Sequence, residues 1–327
     1  MVRRRTLQMG AAAIALAVAV RLTAGGVLTP LTQTLGKWET ASLLLYLETG
    51  RVVRPPNPPE PTTPQPQSPA QSAESLERPA FSGEETVSIR ESWDYGADVP
   101  ALLEQPLRWD LRQEAPTVLI YHTHASESYT KEPGQDYAEE VPYRTQDTDY
   151  NMVAVGAAIQ RRLEAAGIHT LHDTTLHDYP SYNGSYDHAR QTLEGYFSQY
   201  PSLLLVLDVH RDAAEDGNGN QVATTATLST GETAAQLMFV LGSEGGGYEH
   251  PYWEDNLALA VKLQALLEEK DPGICRSLQL TAQRYNQEMY PGMLLVEVGT
   301  AGNTLTQALR SAERLSDAII ALADGTA

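Results

Sequence analysis

Three short clusters at the ends of apolar runs hold side chains able to bind a metal or move a proton. Tyr121-His122-Thr123-His124-Ala125-Ser126-Glu127 closes one apolar run, Asp208-Val209-His210-Arg211-Asp212 closes a second, and Glu297 lies in a third, ahead of Val298-Gly299-Thr300. The chain has one cysteine, Cys275, which removes cysteine-based zinc sites and any internal disulfide framework. A metal here must be held by imidazoles and carboxylates. If the three runs are neighbouring strands, His124, Glu127, His210 and Glu297 converge at one sheet edge. Two imidazoles and one carboxylate leave a coordination position open, the pattern of a catalytic zinc site. A second glutamate beside that position would take a proton from an attacking water and deliver it to a leaving amine.

Each cluster alone is common. Strand-end histidines are more often hydrogen-bonded structure than ligands, H-x-x-E recurs by chance, and a glutamate after an apolar strand also suits a helix start. The joint placement at three strand ends carries the reading. Strand alternation puts His122 on the same face as His124, so the first imidazole is open between the two.

The elements that must position these residues can be read from hydrophobic periodicity. Thr117–His124, Ser202–Asp212, Gln236–Leu241 and Met293–Gly299 are apolar runs of strand type, with a shorter one over Ile168–Leu171. Asn151–Gly167, Asp187–Phe197, Asn256–Glu269 and Thr304–Ala323 have helical spacing. Apolar strands alternating with helices predict an α/β fold, a mostly parallel twisted sheet covered by helices on both faces. Ligands in such sheets gather beyond the carboxyl ends of the strands.

Composition narrows the class. The 327 residues carry 42 acidic and 23 basic side chains, a formal net charge of −19, and no basic stripe follows the first residues, so no nucleic-acid partner is expected. Arg3, Arg4 and Arg5 precede an apolar stretch over Leu7–Val20 closed by Arg21, and no acid occurs before Glu39. This reads as a signal-anchor over residues 1–35, with the N-terminus cytoplasmic and the rest extracytoplasmic. Residues 36–86 read as a juxtamembrane helix and a proline-rich linker, with eight prolines in fifteen residues between Pro55 and Pro69. Residues 87–327 read as the extracytoplasmic catalytic domain.

LIYHTHASESY, LDVHRDA and RYNQEMYPGMLLVEVGTAGNTL resemble the stage II sporulation protein P family, cell-wall hydrolases of endospore formers, and the resemblance spans roughly 87–325. It implies a fold similar to zinc amidases (phosphorylase/hydrolase-like) and a zinc-dependent N-acetylmuramoyl-L-alanine amidase. Such an enzyme cleaves the amide between N-acetylmuramic acid and L-Ala of the stem peptide, with an endopeptidase activity on cross-links as well. It implies Zn²⁺ as cofactor and peptidoglycan as substrate, at the membrane of the sporulation septum during septum thinning and engulfment. Its implied partners are a lytic transglycosylase similar to stage II sporulation protein D and a membrane scaffold similar to protein M. Carried onto this chain, it makes His124 and His210 zinc ligands, favours Glu127 as the third, and makes Glu297 the catalytic carboxylate. In the broader amidase family the carboxylate ligand lies further along, which leaves Asp147, Glu139 or Glu140 open for that place.

Arg211 is a candidate to pair with a stem-peptide carboxylate through its guanidinium fork, or else to bridge Asp212 or Asp208. Arg284, with Tyr285 and Asn286, is expected along the groove, and Asn303 is expected to cap the last helix. His169, His172, His177, His188 and His250 read as non-catalytic. Asp216-Gly217-Asn218-Gly219-Asn220 reads as a turn, not a calcium loop. Two other classes stay open: a non-catalytic wall-binding scaffold module, and a zinc carboxypeptidase with Arg211 or Arg284 as its carboxylate anchor.

Overall fold

Val118–Tyr121 (β2) and Leu205–Asp212 (β4) are buried almost throughout, the pattern of central strands covered on both faces. The computed structural model describes residues 86–325 except positions 93, 94, 108 and 140. The expected anchor, juxtamembrane helix and proline-rich linker lie outside the described residues. Among those described, no helix is long and apolar enough to cross a membrane.

The remaining elements are β1 (Ile89–Glu91), α1 (Val99–Glu104), α2 (Met152–Ala165), β3 (Thr170–His172), α3 (Ser185–Gln199), β5 (Thr225–Thr227), β6 (Thr233–Ala235), β7 (Leu237–Leu241), α4 (Trp253–Lys270), β8 (Leu278–Leu280), β9 (Met293–Thr300) and α5 (Leu305–Asp324). Seven strands form one sheet in the order β1-β8-β7-β9-β4-β2-β3, and β5 and β6 pair separately as an antiparallel hairpin. Within the large sheet every pairing is parallel except β7 with β9. The sheet is therefore two parallel blocks of opposite direction joined at that seam. The α/β class and the mostly parallel sheet are as expected from the sequence.

Strand alternation divides the core between the two faces. Val118, Ile120, Leu205, Leu207, Val209, Leu294, Val296 and Val298 join the larger cluster beneath α2, α4 and α5. Leu119, Tyr121, Val206 and Met293 face the other way and pack with Ala189 and Leu193 of α3. Gly156 lets α2 approach the sheet closely: a Cβ there would come within 2.6 Å of His122 Nε2 and 2.5 Å of His172 Nε2. The last helix begins at a capping box, Thr304 with Gln307, so Thr304 is the cap and not Asn303. Asn303 instead braces the loop before it, accepting from the Thr300 and Thr224 amides and donating to the Thr224 carbonyl.

Candidate active site at three strand ends

In the sheet order β4 lies between β2 and β9, and all three run parallel, so their carboxyl ends share one edge. Asp208 and His210 share the alternation of Val206, and Glu297 that of Met293, so all three stand on the α3 face. His210 and Glu297 are register partners across β4 and β9. After β2 the chain turns sharply, the Glu127 amide donating to the His124 carbonyl at 3.1 Å, which folds both residues over the end of β4. The His124 and His210 rings meet edge to face, centroids 5.2 Å apart, and Glu127 Oε2 lies 3.8 Å from His210 Nδ1.

Arginines and a second carboxylate hold this group. Arg144 donates to Glu127 at 3.1 Å and to the fully buried Asp178 carboxylate at 2.8 Å, and its guanidinium sits 4.7 Å from the Tyr182 ring centre. Asp178 also accepts from the Ser126 amide and hydroxyl. Tyr182 stacks on His124 with centroids 4.4 Å apart and planes 11° from parallel, while Tyr186 stands edge-on at 5.6 Å. Asp208 accepts from the Thr123 amide (2.8 Å) and hydroxyl (2.7 Å), and its Oδ1 lies 2.8 Å from His210 Nε2. That last contact is ionic without hydrogen-bond alignment, so His210 Nε2 has no hydrogen-bond partner.

Enclosure and neighbouring charge set the proton affinities. Burial, reinforced by His210, lowers the His124 pKa to about 3, so this imidazole is neutral as a metal ligand must be. Burial opposes charge on His210 too, but Asp208, then Glu127 and Glu297, outweigh it and raise the value to about 9. Asp208 is lowered: burial resists, and His210 and Thr123 prevail. Burial raises Glu297 to about 8, with His210 pulling down and Glu127 pushing up. Part of the Glu297 side chain reaches the surface, but its Oε2 is enclosed and has no hydrogen-bond partner.

The structure thus brings His124, Glu127, His210 and Glu297 together. It sends His122 elsewhere. β2 ends at Tyr121, so alternation does not run on to His124; His122 lies on α2's side, its Nδ1 donating to the Val209 carbonyl (2.8 Å) and its Nε2 2.9 Å from His172 Nε2. Asp147 is exposed in the turn before α2, where it accepts from the Asp149 amide. Glu139 accepts from the Tyr143 amide, and Glu140 lies outside the described residues. Arg211 is buried, its guanidinium on the Ser128 and Tyr143 carbonyls and 3.4 Å from Glu127, so it braces the Glu127 turn and pairs with neither Asp208 nor Asp212. Arg284 lies over Tyr248 and 3.8 Å from Glu288; its neighbours Tyr285 and Asn286, both at positive φ, reach Tyr186. Arg144, Asp178 and Tyr182 were not singled out from the sequence, and Asp208 was weighed there only as a partner for Arg211. Asp208 was legible, two residues before His210 on the same strand face; the others come from loops without a motif.

Among the described residues no three His, Cys, Asp or Glu side chains are drawn together tightly enough to hold an ion as they stand. The donor set nevertheless fits zinc in kind. His124 Nδ1 and Glu297 Oε2 are enclosed polar atoms without hydrogen-bond partners, which proteins rarely leave without a purpose, and His210 Nε2 meets only the Asp208 carboxylate. Two imidazoles beside a carboxylate are the donors zinc prefers when thiolates are lacking.

A mostly parallel sheet with imidazoles and carboxylates gathered at its strand ends defines an α/β protein with a candidate active site at that edge. The family follows from the comparison: residues 55–320 match the family described as stage II sporulation protein P, and the chain belongs to that family. It is 28% identical over 211 residues to stage II sporulation protein P of Bacillus subtilis (strain 168), covering 61% of this chain and 49% of the relative, so it spans about half that relative's length. Solved structures similar to it include the N-acetylmuramoyl-L-alanine amidase AmiC2 of Nostoc punctiforme (15% identity, 64% of this chain and 94% of that one, TM-score 0.37). Another is the amidase Ami1 from Mycobacterium abscessus (12% identity, 65% and 100%, TM-score 0.38).

Proposed function

We propose that this protein is a peptidoglycan hydrolase of sporulation, a zinc-dependent N-acetylmuramoyl-L-alanine amidase. The observation that carries the reading is the pairing of His210 with Glu297 across adjacent parallel strands, with His124 and Glu127 folded over the same edge. His124, His210 and Glu127 would hold the zinc. The ion, when bound, supplies Lewis acidity that polarises the amide carbonyl, makes water nucleophilic near neutral pH, and draws down the raised pKa of a nearby carboxyl.

Glu297 takes the proton of the attacking water and returns it to the alanine nitrogen as the C–N bond breaks. The carboxyl suits both halves, because burial holds its proton affinity near the working pH. Asp208 holds the His210 ring and Thr123 together, and Arg144 with Arg211 fixes Glu127. The anchor over residues 1–35 would tether the enzyme to the membrane, with the implied transglycosylase and membrane scaffold acting beside it.

The test is product identification. Purified peptidoglycan incubated with the protein and zinc is expected to release free stem peptides and leave peptide-free glycan, by mass spectrometry. The His210→Ala variant should release neither. Peptides shortened only from their carboxyl ends would make it a carboxypeptidase, and intact wall would sink the hydrolase reading.

A further inference from the structure

The segment from Thr175 to Gly184 has two sides. Inward it delivers Asp178 to Arg144 and Tyr182 to His124. Outward it forms, with the first turns of α3, a shallow cavity of about 370 Å³ whose lining includes Thr175, His177, Tyr179, His188, Gln191 and Thr192. That volume lies at the lower end of the roughly 300–1,000 Å³ of small-molecule sites. His177 ties the two sides together: Nδ1 lies 2.9 Å from the His122 carbonyl and Nε2 3.0 Å from the Thr192 hydroxyl. His188 Nδ1 in turn lies 2.9 Å from the His177 carbonyl. The cavity wall is therefore bonded to the strand-end segment that carries His124.

We infer that this cavity is a saccharide subsite, holding a sugar of the glycan strand beside the amide to be cut; the inference rests on the peptidoglycan reading of the site. In a chain with 42 acidic residues, the cavity lining contains no acid, and it contains no lysine or arginine either. A stem peptide brings carboxylates and an ammonium and would call for charged partners. A sugar brings hydroxyls, an acetamido group and one apolar ring face. Thr175, Gln191, His188 and Thr192 offer neutral donors and acceptors of that kind, and Tyr179, 49% exposed, offers an aromatic surface. Tyr182, 55% exposed and carried by the same segment, stacks on His124 and so presents a second aromatic ring at the reacting groups.

The test titrates the full chain with a peptide-free tetrasaccharide of alternating N-acetylglucosamine and N-acetylmuramic acid, by calorimetry. Gln191 and Thr175 are exposed, so Gln191→Ala and Thr175→Trp are chosen to leave the fold intact, which unchanged melting temperatures verify. Gln191→Ala should weaken binding about tenfold, the loss of one or two hydrogen bonds. Thr175→Trp, which fills the cavity, should abolish it, while His210→Ala should bind as the parent does. Equal binding by parent and cavity variants, or no binding by the parent, overturns the subsite, as does a free stem peptide whose binding alone is lost in Thr175→Trp. A parent that binds the tetrasaccharide through these residues yet hydrolyses no wall refutes the amidase reading and leaves the subsite standing. A parent that hydrolyses wall but binds the tetrasaccharide independently of the cavity does the reverse.

Discussion

His210 and Glu297 stand across one strand pair, and their surroundings strengthen both protons, by neighbouring carboxylates for one and by burial for the other. His210 is lifted from 6.5 to about 9, chiefly by Asp208 against the cost of burial, and Glu297 from 4.5 to about 8 by burial. The stabilisation from His210 is complete below its ordinary value and is lost as pH rises through about 9. The penalty of charging buried Glu297 is absent below 4.5 and complete above about 8. Both make the folded metal-free chain hold more protons than the unfolded one, so its stability falls as pH rises across that window. Asp208, lowered, works the other way only at acid pH, where its contribution disappears. His122, His124 and His172, lowered to about 3, 3 and 4, work the other way below about pH 6.5. Melting of the metal-free protein should therefore drop from about pH 7 to 9, and Glu297→Gln should flatten the part below pH 8. A melting temperature that climbs over this range would contradict the assignment. Zinc uptake should release protons from His210 and strengthen towards pH 9, as calorimetry in buffers of different ionisation enthalpy would read. The residues that carry the chemistry were legible because strand ends and the two-residue period place them. Arg144, Asp178 and Tyr182 were not, because the loops that deliver them have no period to read.

At the level of elements, the edge of the site depends on a bulge. Between His210 and Asp212 of β4 the register moves from Glu297 to Thr300 of β9, so β9 spends three steps where β4 spends two. Gly299 takes the positive φ (+75°), and a Cβ there would lie 2.7 Å from both Ala235 Cβ and Asn303 Oδ1. Gly299→Ala should cost about 1–3 kcal/mol in urea unfolding and lower activity by displacing Glu297. Unchanged stability would show that the bulge relaxes freely. The long apolar strands and amphipathic helices were readable, with ends off by a few residues: the helix expected over Asp187–Phe197 runs Ser185–Gln199. β1, β5, β6 and β8 were not, since three residues give no period and their pairing comes from distant chain. His122 keeps the alternation of Val118 and Ile120 and lies on the α2 side; the expectation that His124 shares its face fails because the strand stops at Tyr121 and the chain then turns.

For the whole molecule, the proposed function sets an acidic chain against an anionic wall polymer, which it would have to meet through local, mostly uncharged contacts. Inside the site Glu127 and Asp178 meet arginines and Asp208 meets His210. In the proposed function labour is divided sharply: His124, His210 and Glu127 would hold the ion, and Glu297 would move the proton. The most direct test prepares Glu297→Gln in the full chain and measures, on one sample, bound zinc per chain and the rate of stem-peptide release. The account predicts zinc retained at the parent level and release slowed by about 10²–10⁴-fold, the usual worth of a general acid–base. Release at the parent rate, with zinc retained, would contradict it.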